Sequence, residues 1–278
     1  MGRDGLLRLA FERRGAATVL TERRFTLPLQ ALEPVDLDGA GVATLMLLNP
    51  TGGVLGGDRL DTVVTVGAGA RVCLTTPAAT RVYRSAGAPA MQRFRATVGA
   101  GAALEYLPDH LILSPGARLD QATEILLAGD ATAIVLDAWA VGRAARGEAW
   151  CFDALDLATV VNDAGGPLLI ERACLAAPAL SRGWPGGLGG AEGMSYVATL
   201  AALAPARADW DGLVADLRGA LTATGHGVSH GVTALARGGL LARLLAPSAP
   251  ALHGCVERLW ALCRLRLLGL PPLDLRKR

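Results

Sequence analysis

The sequence is poor in several kinds of residue, and each shortage argues against a class of protein. Lys277 is its only lysine, and a net charge of +2 with no clustered basic excess argues against a nucleic-acid-binding protein. No apolar run is long enough to span a membrane, since the longest, around 131–141, is interrupted by Asp137. The first residues lack the apolar core of a signal peptide. We therefore expect a cytoplasmic protein with neither nucleic-acid nor membrane partners.

Cysteine and aromatic residues are also scarce. The five cysteines are odd in number and scattered, which indicates reduced thiols rather than a disulfide framework. Aromatic residues make up only 4% of the chain, whereas 51% of it is hydrophobic and 35 residues are glycine. We therefore expect a core built from Ala, Val and Leu, with many turns between its elements.

A glycine-rich corner at 49–60 joins two β-rich segments. Its glycines are Gly52, Gly53, Gly56 and Gly57. A phosphate-binding P-loop would need lysine directly after its last glycine, and Asp58 stands there instead, followed by Arg59. A carboxylate repels phosphate, and no helix follows whose N-terminus could bind an anion. The corner is therefore interpreted as a tight turn that aims the Asp58 carboxylate inward.

An internal repeat indicates how the strands are arranged. The segment Val-Gly-Ala-Gly-Ala at 66–70 recurs at 98–102, 32 residues later, and a weaker third copy lies at 128–131. The first two copies lead into a short strand that ends in proline. A strand, a tight turn and a strand repeated at such a period are typical of a stacked, solenoid-like β fold. Ordinary hairpins also recruit glycine into their turns, so the repeat alone leaves both arrangements open.

Strand patterns cover most of the chain up to residue 205. They lie at 6–20, 24–32, 42–48, 60–66, 70–76, 91–98, 134–141, 148–161, 167–175 and 194–203. The segment 181–193 is expected to be a loose loop. We expect a single domain over 1–278, with a β body at about 1–205 and a helix-containing part at about 206–270.

Two helices are expected after the β body. Apolar residues at helical spacing predict one over 209–224, with Asp209 as its N-cap and Gly225 as its stop. The same spacing predicts a second helix over 250–268. Short strands are expected between them, at 227–236 and 240–245.

Enzyme chemistry finds little support in the sequence, so we expect a protein that is not an enzyme. There is no Gly-x-Ser-x-Gly elbow, and the glycines at 187–189 lack the third glycine of a dinucleotide fingerprint. His226 and His230 have no cysteine near them, which disfavours a structural zinc site. A small-molecule hydrolase on a β scaffold has no residue set to support it.

Carboxylates placed within apolar strands are the most distinctive chemical feature. Glu105, Asp137 and Glu171 each interrupt an apolar run, and Glu148 follows a segment with two arginines. An isolated buried carboxylate is costly, so each is expected to be paired, hydrated or functional. One alternative is that each points out of the sheet or pairs with a nearby arginine. The nearby arginines are Arg143, Arg146 and Arg172. The other alternative is a water-filled acidic path, which would suit a divalent cation.

Five motifs, in order, resemble those of the UreD (UreH) family of urease accessory proteins. They are Asn-Pro-Thr-Gly-Gly-Val-Leu-Gly-Gly-Asp at 49–58, Thr-Pro-Ala-Ala-Thr-Arg-Val-Tyr-Arg-Ser at 76–85, Tyr-Leu-Pro-Asp at 106–109, Gly-Arg-Ala-Ala-Arg-Gly-Glu at 142–148 and Leu-Leu-Ile-Glu-Arg at 168–172. Tyr83, Arg84 and Arg143 belong to them. The similarity covers about 5–270. Thr51 departs from the family pattern, which commonly has a second proline there.

The resemblance implies a fold and a set of partners. The fold would be mainly β, with stacked β-strands resembling a right-handed β-helix and two C-terminal α-helices. The protein would be a non-enzymatic maturation factor that binds UreF in a 2:2 assembly, recruits UreG through UreF, and docks on the urease apoprotein. A purely structural adaptor between UreF and urease, with no metal role, is the alternative.

The resemblance also implies a transient role for nickel. No cofactor would be tightly bound, and Ni(II) would pass through an internal tunnel towards the urease site. Asp58, Asp137 and Glu171 match acidic positions of that path. Glu105 and Glu148 are added to it as weaker candidates from their placement in the sequence.

Overall fold

A computed structural model of the chain describes residues 3–176, 191–207, 209–223, 227–275 and 277. Strands make up 52% of the structure and form a β-solenoid of about four turns, with two helices near the C-terminal end. The mainly β, stacked architecture expected from the sequence is therefore confirmed. None of the described helices is long and apolar enough to cross a membrane.

The strands follow one another closely along the chain. They are β1 (Asp4–Arg14), β2 (Ala17–Thr26), β3 (Gln30–Ala31), β4 (Ala43–Leu48), β5 (Arg59–Val66), β6 (Arg71–Thr75), β7 (Thr80–Val82), β8 (Ala90–Val98), β9 (Ala103–Leu107), β10 (Leu111–Leu113), β11 (Arg118–Leu127), β12 (Thr132–Ala140), β13 (Gly142–Arg143), β14 (Glu148–Ala149), β15 (Ala154–Asp163), β16 (Gly166–Ala176), β17 (Tyr196–Leu203), β18 (Ser229–Ala234) and β19 (Gly239–Ala246). The helices are α1 (Asp211–Thr222) and α2 (Ala249–Cys263). A π-helical turn at Arg264–Leu268 continues α2.

Two sheets form the main walls of the solenoid. The first sheet has the strand order β16-β15-β11-β8-β5-β1-β2, and the second has β18-β19-β17-β12-β9-β6-β4-β3. The central strands run parallel in both sheets, and the flanking strands at each end are antiparallel. The short strands β7 and β10 pair with each other, and β10 also pairs with the end of β12. In each turn the chain thus passes from the first sheet to the second and then returns to the first.

The three copies of the glycine repeat form stacked corners between the two sheets. Gly99 donates its N–H to the carbonyl of Val66 at 2.8 Å, and Ala128 does the same to Val98 at 2.9 Å. Each copy thus rests on the preceding one through backbone hydrogen bonds. The repeat therefore marks the period of the solenoid, and the hairpin alternative does not apply to it.

The second sheet is covered on both faces. Alternate residues of a strand point to opposite sides, so one set of β12 side chains enters the solenoid and the other faces the helices. The inward set includes Val135 and Trp139, whereas Ile134 and Leu136 pack with the helices. On the helices, the buried residues of α1 are Leu213, Val214, Leu217 and Leu221, and those of α2 include Leu252, Leu259 and Trp260. The helical layer therefore covers the outer face of this sheet.

Several expected boundaries differ from those in the structure. The strand expected over 6–20 is two strands, because the chain turns at Gly15, where φ is +58°. The expected strand at 148–161 is likewise divided between β14 and β15. Both β10 and β11 lie in the interval 109–127, for which no strand was expected.

The helix ends also differ in detail. The first helix begins at Asp211 with Trp210 in the cap position, rather than at Asp209. Asp209 still accepts a hydrogen bond from the N–H of Gly212 at 3.1 Å, so its carboxylate does bind the first turn. Gly225 and His226, and the part of the expected loop at 181–190, lie outside the described residues.

The glycine corner buries the Asp58 side chain, as the sequence predicts. The side chain is only 2% exposed, and its two carboxylate oxygens accept the N–H groups of Leu55 and Arg3, each at 2.9 Å. Gly53 lets the corner approach strand β7 closely. An added Cβ there would lie 2.4 Å from the carbonyl oxygen of Arg81. The corner therefore depends on a residue with no side chain at this position.

Substitution of Gly53 is expected to cost more stability than substitution of Gly52. Both glycines have positive φ, but a Cβ on Gly52 would meet no atom within 4 Å, whereas one on Gly53 would clash with backbone. We expect Gly52→Ala to lower the free energy of unfolding by about 1 kcal/mol and Gly53→Ala by roughly 2–3 kcal/mol or more. Chemical denaturation of the two variants measures the difference, and equal losses would contradict this account of the corner.

Candidate functional site

Polar side chains occupy inward positions where the first and second sheets face each other near β16. In the second sheet, Asp137, Thr199 and Arg243 are aligned across β12, β17 and β19. In the first sheet, Thr123, Thr159 and Glu171 are aligned across β11, β15 and β16. We call these six residues the polar row. It runs from the buried Thr123 to Arg243, whose side chain is 62% exposed.

A small cavity of about 40 Å³ lies inside the polar row. Its polar lining comes from Asp137, Thr159, Glu171 and Thr199, and its apolar lining from Val135, Trp139, Leu157, Leu169, Ala173 and Ala201. One water needs roughly 10–15 Å³ of such space, so the cavity has room for about three or four waters. A divalent ion with a full shell of water does not fit. A cation held here would have to replace most of that shell with protein oxygens.

Asp137 lies at the inner end of this cavity. Its carboxylate accepts hydrogen bonds from Gln121 Nε2 at 3.0 Å and from Thr159 Oγ1 at 2.8 Å. The accessible part of the Asp137 surface faces the cavity that the residue lines, and protein atoms surround the rest. Burial raises the pKa of Asp137 to about 6; the hydrogen bond from Thr159 opposes this rise, while the charge of Glu171 adds to it. The carboxyl group of Asp137 therefore ionises at a higher pH than that of an exposed aspartate.

Glu171 lies at the outer end of the cavity and is held by an arginine of the facing sheet. Arg243 Nη2 donates to both carboxylate oxygens, at 2.9 and 2.6 Å. The Glu171 side chain is 23% exposed. Arg172, which the sequence offered as a partner, binds Asp156 on the outer surface of the first sheet instead. The Glu171–Arg243 pair thus bridges the two sheets at the solvent side.

Asp58 does not share this cavity. It immediately precedes β5, whereas the Asp137 partner Gln121 is on β11, two strands further along the first sheet. Two strand spacings correspond to about 10 Å. Both Asp58 oxygens already accept backbone N–H groups. The structure therefore shows Asp58 as the clamp of the glycine corner.

Glu105 lies on the opposite face of the second sheet. It is aligned with Cys73 and Ile134, which pack with the helices, and it accepts a hydrogen bond from Trp260 Nε1. Burial raises the pKa of Glu105, although the nearby Arg264 guanidinium, 3.9 Å away, and the Trp260 hydrogen bond oppose that rise. Glu105 therefore belongs to the contact between sheet and helices, not to the cavity.

Glu148 and the remaining motif residues interact with residues close to them in the fold. Glu148 forms a two-point ion pair with Arg143, whose Nη2 is 2.9 Å from Oε1. Tyr83 donates its hydroxyl to the carbonyl of Gly52 at 3.2 Å, and Arg84 forms a backbone bridge with Ala117. Of the five predicted acidic residues, the structure brings together only Asp137 and Glu171.

Four residues of the site were not identified in the sequence. They are Gln121, Thr159, Thr199 and Arg243. The glycine repeat could have indicated the strand that carries Gln121. A strand precedes each of the first two copies, so a strand was to be expected before the third copy as well, and β11 lies there. Within β11, the side chain of Gln121 points inward, as do those of Leu119 and Thr123. An apolar residue is more usual at such a position. Nothing in the sequence indicated the register that places Arg243 beside Glu171.

The donor set suits a weakly held hard or borderline cation. Across the described ranges, no group of three His, Cys, Asp or Glu side chains is arranged to hold a metal ion. The cavity offers two carboxylates, and the hydroxyls of Thr159 and Thr199 line it as well. Oxygen ligands of this kind favour divalent cations over soft metals.

The fold and this cavity define a β-solenoid protein with a small cavity, lined by two carboxylates, between its two sheets. Comparison with known sequences then places the chain more closely. The family model described as UreD urease accessory protein matches residues 3–278. The urease accessory protein UreD of Alkalilimnicola ehrlichii is 39% identical over 271 residues, which covers 98% of this chain and 89% of the relative.

Two further relatives with the same name are similarly close. The one from Cupriavidus metallidurans is 35% identical, covering 97% of this chain and 92% of the relative. The one from Actinomyces naeslundii is 33% identical and covers 100% of both chains. The chain belongs to the UreD family of urease accessory proteins.

Asp137→Asn is expected to stabilise the protein at neutral pH. The pKa of Asp137 is raised in the folded state, so the stability gained from its protonation is complete below about pH 4 and is lost as pH rises through about 6. Asn resembles the protonated form and keeps the volume. We expect the variant to gain up to ~3 kcal/mol in the free energy of unfolding at pH 7.5, with the gain disappearing near pH 4.

Asp156→Asn supplies the control with the opposite sign. The hydrogen bond from Arg172 lowers the pKa of Asp156, so its stabilising contribution is present above the ordinary pKa and is lost as pH falls. This variant should therefore be less stable than the native protein at pH 7.5 and equal to it in acid. Chemical denaturation at several pH values measures both. A loss of stability for Asp137→Asn at pH 7.5 would contradict the assignment.

Proposed function

We propose that the protein is a scaffold for assembly of the urease metallocentre. In this role it binds UreF, gathers UreG through UreF and docks on the urease apoprotein, so that Ni(II) is delivered where urease needs it. Membership of a family of urease accessory proteins supports the general role. The solenoid supports it as well, because its sheets and helical layer offer extended, rigid surfaces to partners.

We further propose that Ni(II) passes through the cavity of the polar row. The observation that carries this proposal is the placement of Asp137. A largely buried carboxylate beside a cavity, with its pKa raised by burial and by a second carboxylate, costs stability, and such groups are common at functional sites. A hydrophobic residue would fill this inward position at lower cost. In the proposed route, Asp137 is the inner station and Glu171 the outer one.

The donor set matches transient rather than permanent binding. Two carboxylates and neutral hydroxyls can replace part of the water around Ni(II), but they supply fewer strong ligands than a closed metal site would. Weak binding suits a carrier, because an ion that is bound tightly is not passed on. Ni(II) is thus treated as cargo, and no resident cofactor is proposed.

Asp58, Glu105 and Glu148 receive different roles in this proposal. Asp58 holds the glycine corner, Glu105 attaches helix α2 to the second sheet, and Glu148 closes the β13–β14 hairpin through Arg143. These bonds also support the alternative function, a purely structural adaptor between UreF and urease. In that alternative, Asp137 and Glu171 serve only the fold.

Nickel loading of urease distinguishes the two functions. We expect Asp137→Asn and Glu171→Gln to retain complex formation with UreF and UreG but to reduce the nickel bound per urease active site several-fold. Each substitution removes a negative charge from the cavity, and loss of such a contact corresponds to tenfold weaker binding for each ~1.4 kcal/mol. Metal analysis of urease, purified after co-expression with each variant, measures the effect.

Glu148→Gln is the matched control, because it also removes an arginine-paired carboxylate but lies outside the cavity. It should leave nickel content unchanged. Unfolding cannot explain a loss with Asp137→Asn, since that variant is expected to be the more stable one. Normal nickel content with both cavity variants would support the adaptor and contradict the nickel route.

A further inference from the structure

Arg243 lies at the exposed end of the polar row and binds Glu171, the outer carboxylate that lines the cavity. It continues the line of Asp137 and Thr199 along the second sheet and reaches across to Glu171 on the first sheet. Its side chain is 62% exposed, whereas Glu171 is 23% exposed. The guanidinium therefore covers the outer carboxylate from the solvent side.

We propose that Arg243 is a displaceable gate that binds Glu171 in alternation with the cargo cation. This inference rests on the proposed function, in which the cavity is a station for Ni(II). In the closed state the Arg243 guanidinium neutralises Glu171, and in the open state the cation takes its place. Arg243 is thus a positioning residue that sets how strongly and how long the cavity retains an ion.

The charges of the cavity explain why a gate of this kind would matter. With both carboxylates ionised and Arg243 in place, Asp137, Glu171 and Arg243 carry a net charge of −1. When Arg243 leaves, the two carboxylates leave −2 facing the cavity. Arginine remains protonated at any physiological pH, so the gate does not depend on titration of its own group. When Arg243 is bound to Glu171, it lowers the affinity of the cavity for a cation and favours release of that cation.

The exposure of the pair suits displacement. Ion pairs at the protein surface are weak because water and salt screen them and because two long side chains must be ordered to form them. Arg243 reaches Glu171 through a single nitrogen, Nη2, rather than through a two-nitrogen fork. The contact can therefore open without disturbing the strands, whose backbone bonds hold the register.

A second arginine bridge nearby provides a matched control. Arg237 Nη2 donates to both oxygens of Asp163, at 2.8 and 2.9 Å, and also joins the two sheets across the chain. Neither residue lines the cavity of the polar row, and the hydrogen bonds of Arg237 go to Asp163 and Pro167, which do not line it either, whereas Arg243 binds the lining residue Glu171. Loss of this bridge tests the effect of removing an inter-sheet ion pair without opening the cavity.

Ni(II) binding to the purified full chain tests the gate. Titration calorimetry gives the dissociation constant, and stopped-flow mixing with a chelator gives the release rate. We expect Arg243→Gln to lower the dissociation constant at least tenfold and to slow release, and Arg243→Lys to stay nearer to the native protein because the charge is kept. Arg237→Gln should leave both quantities unchanged. In the double variant with Asp137→Asn, the tighter binding of Arg243→Gln should disappear.

The outcomes separate the gate from the function on which it rests. If Ni(II) binding depends on Asp137 but is unchanged or weaker in Arg243→Gln, the proposal of a gate is wrong, and the cavity remains a candidate binding site for the cation. If neither the native protein nor Arg243→Gln shows Ni(II) binding that depends on Asp137, the proposals of a gate and of a cation site in the cavity are both wrong. If Arg243→Gln binds more tightly through Asp137, yet Asp137→Asn leaves urease fully loaded, the gate holds and the delivery route is wrong.

Discussion

In-register stacking of parallel strands is the constraint on which the rest of the structure depends. Each turn of the solenoid rests on the previous one through backbone hydrogen bonds, so side chains at equivalent positions form lines across the sheets. An apolar line fills the interior. A polar line must find partners on the facing sheet, because an unpaired polar group in the interior is costly. The polar row meets this requirement with the pairs Asp137–Thr159 and Glu171–Arg243.

The same constraint separates residues that look alike in the sequence. Glu105 and Asp137 each interrupt an apolar run, yet they point to opposite faces of the second sheet. The register aligns Glu105 with Ile134, three positions before Asp137 on β12. An odd offset along a strand changes the face, so one carboxylate meets the helices and the other meets the cavity. A set of five acidic residues therefore resolves into one shared cavity and three local anchors.

The sequence predicted the architecture better than the site, and for a physical reason. Local signals predicted the tight glycine turn at Asp58 and the two late helices, whereas the repeat left two arrangements open and only the family resemblance favoured the stacked one. The cavity depends on register between strands far apart in the chain, as with Glu171 and Arg243. Neither composition nor periodicity specifies that register. Gln121 was accessible in principle, because the third copy of the repeat required a strand before it.

The central claim is that a cation occupies the cavity between Asp137 and Glu171. Diffraction from crystals of the chain soaked in Ni(II), with data collected at the nickel absorption edge, tests it most directly. The account predicts an anomalous peak between the two carboxylates, with Arg243 turned away from Glu171. An empty cavity with Arg243 still bound to Glu171, in crystals that hold nickel at another place, would contradict it.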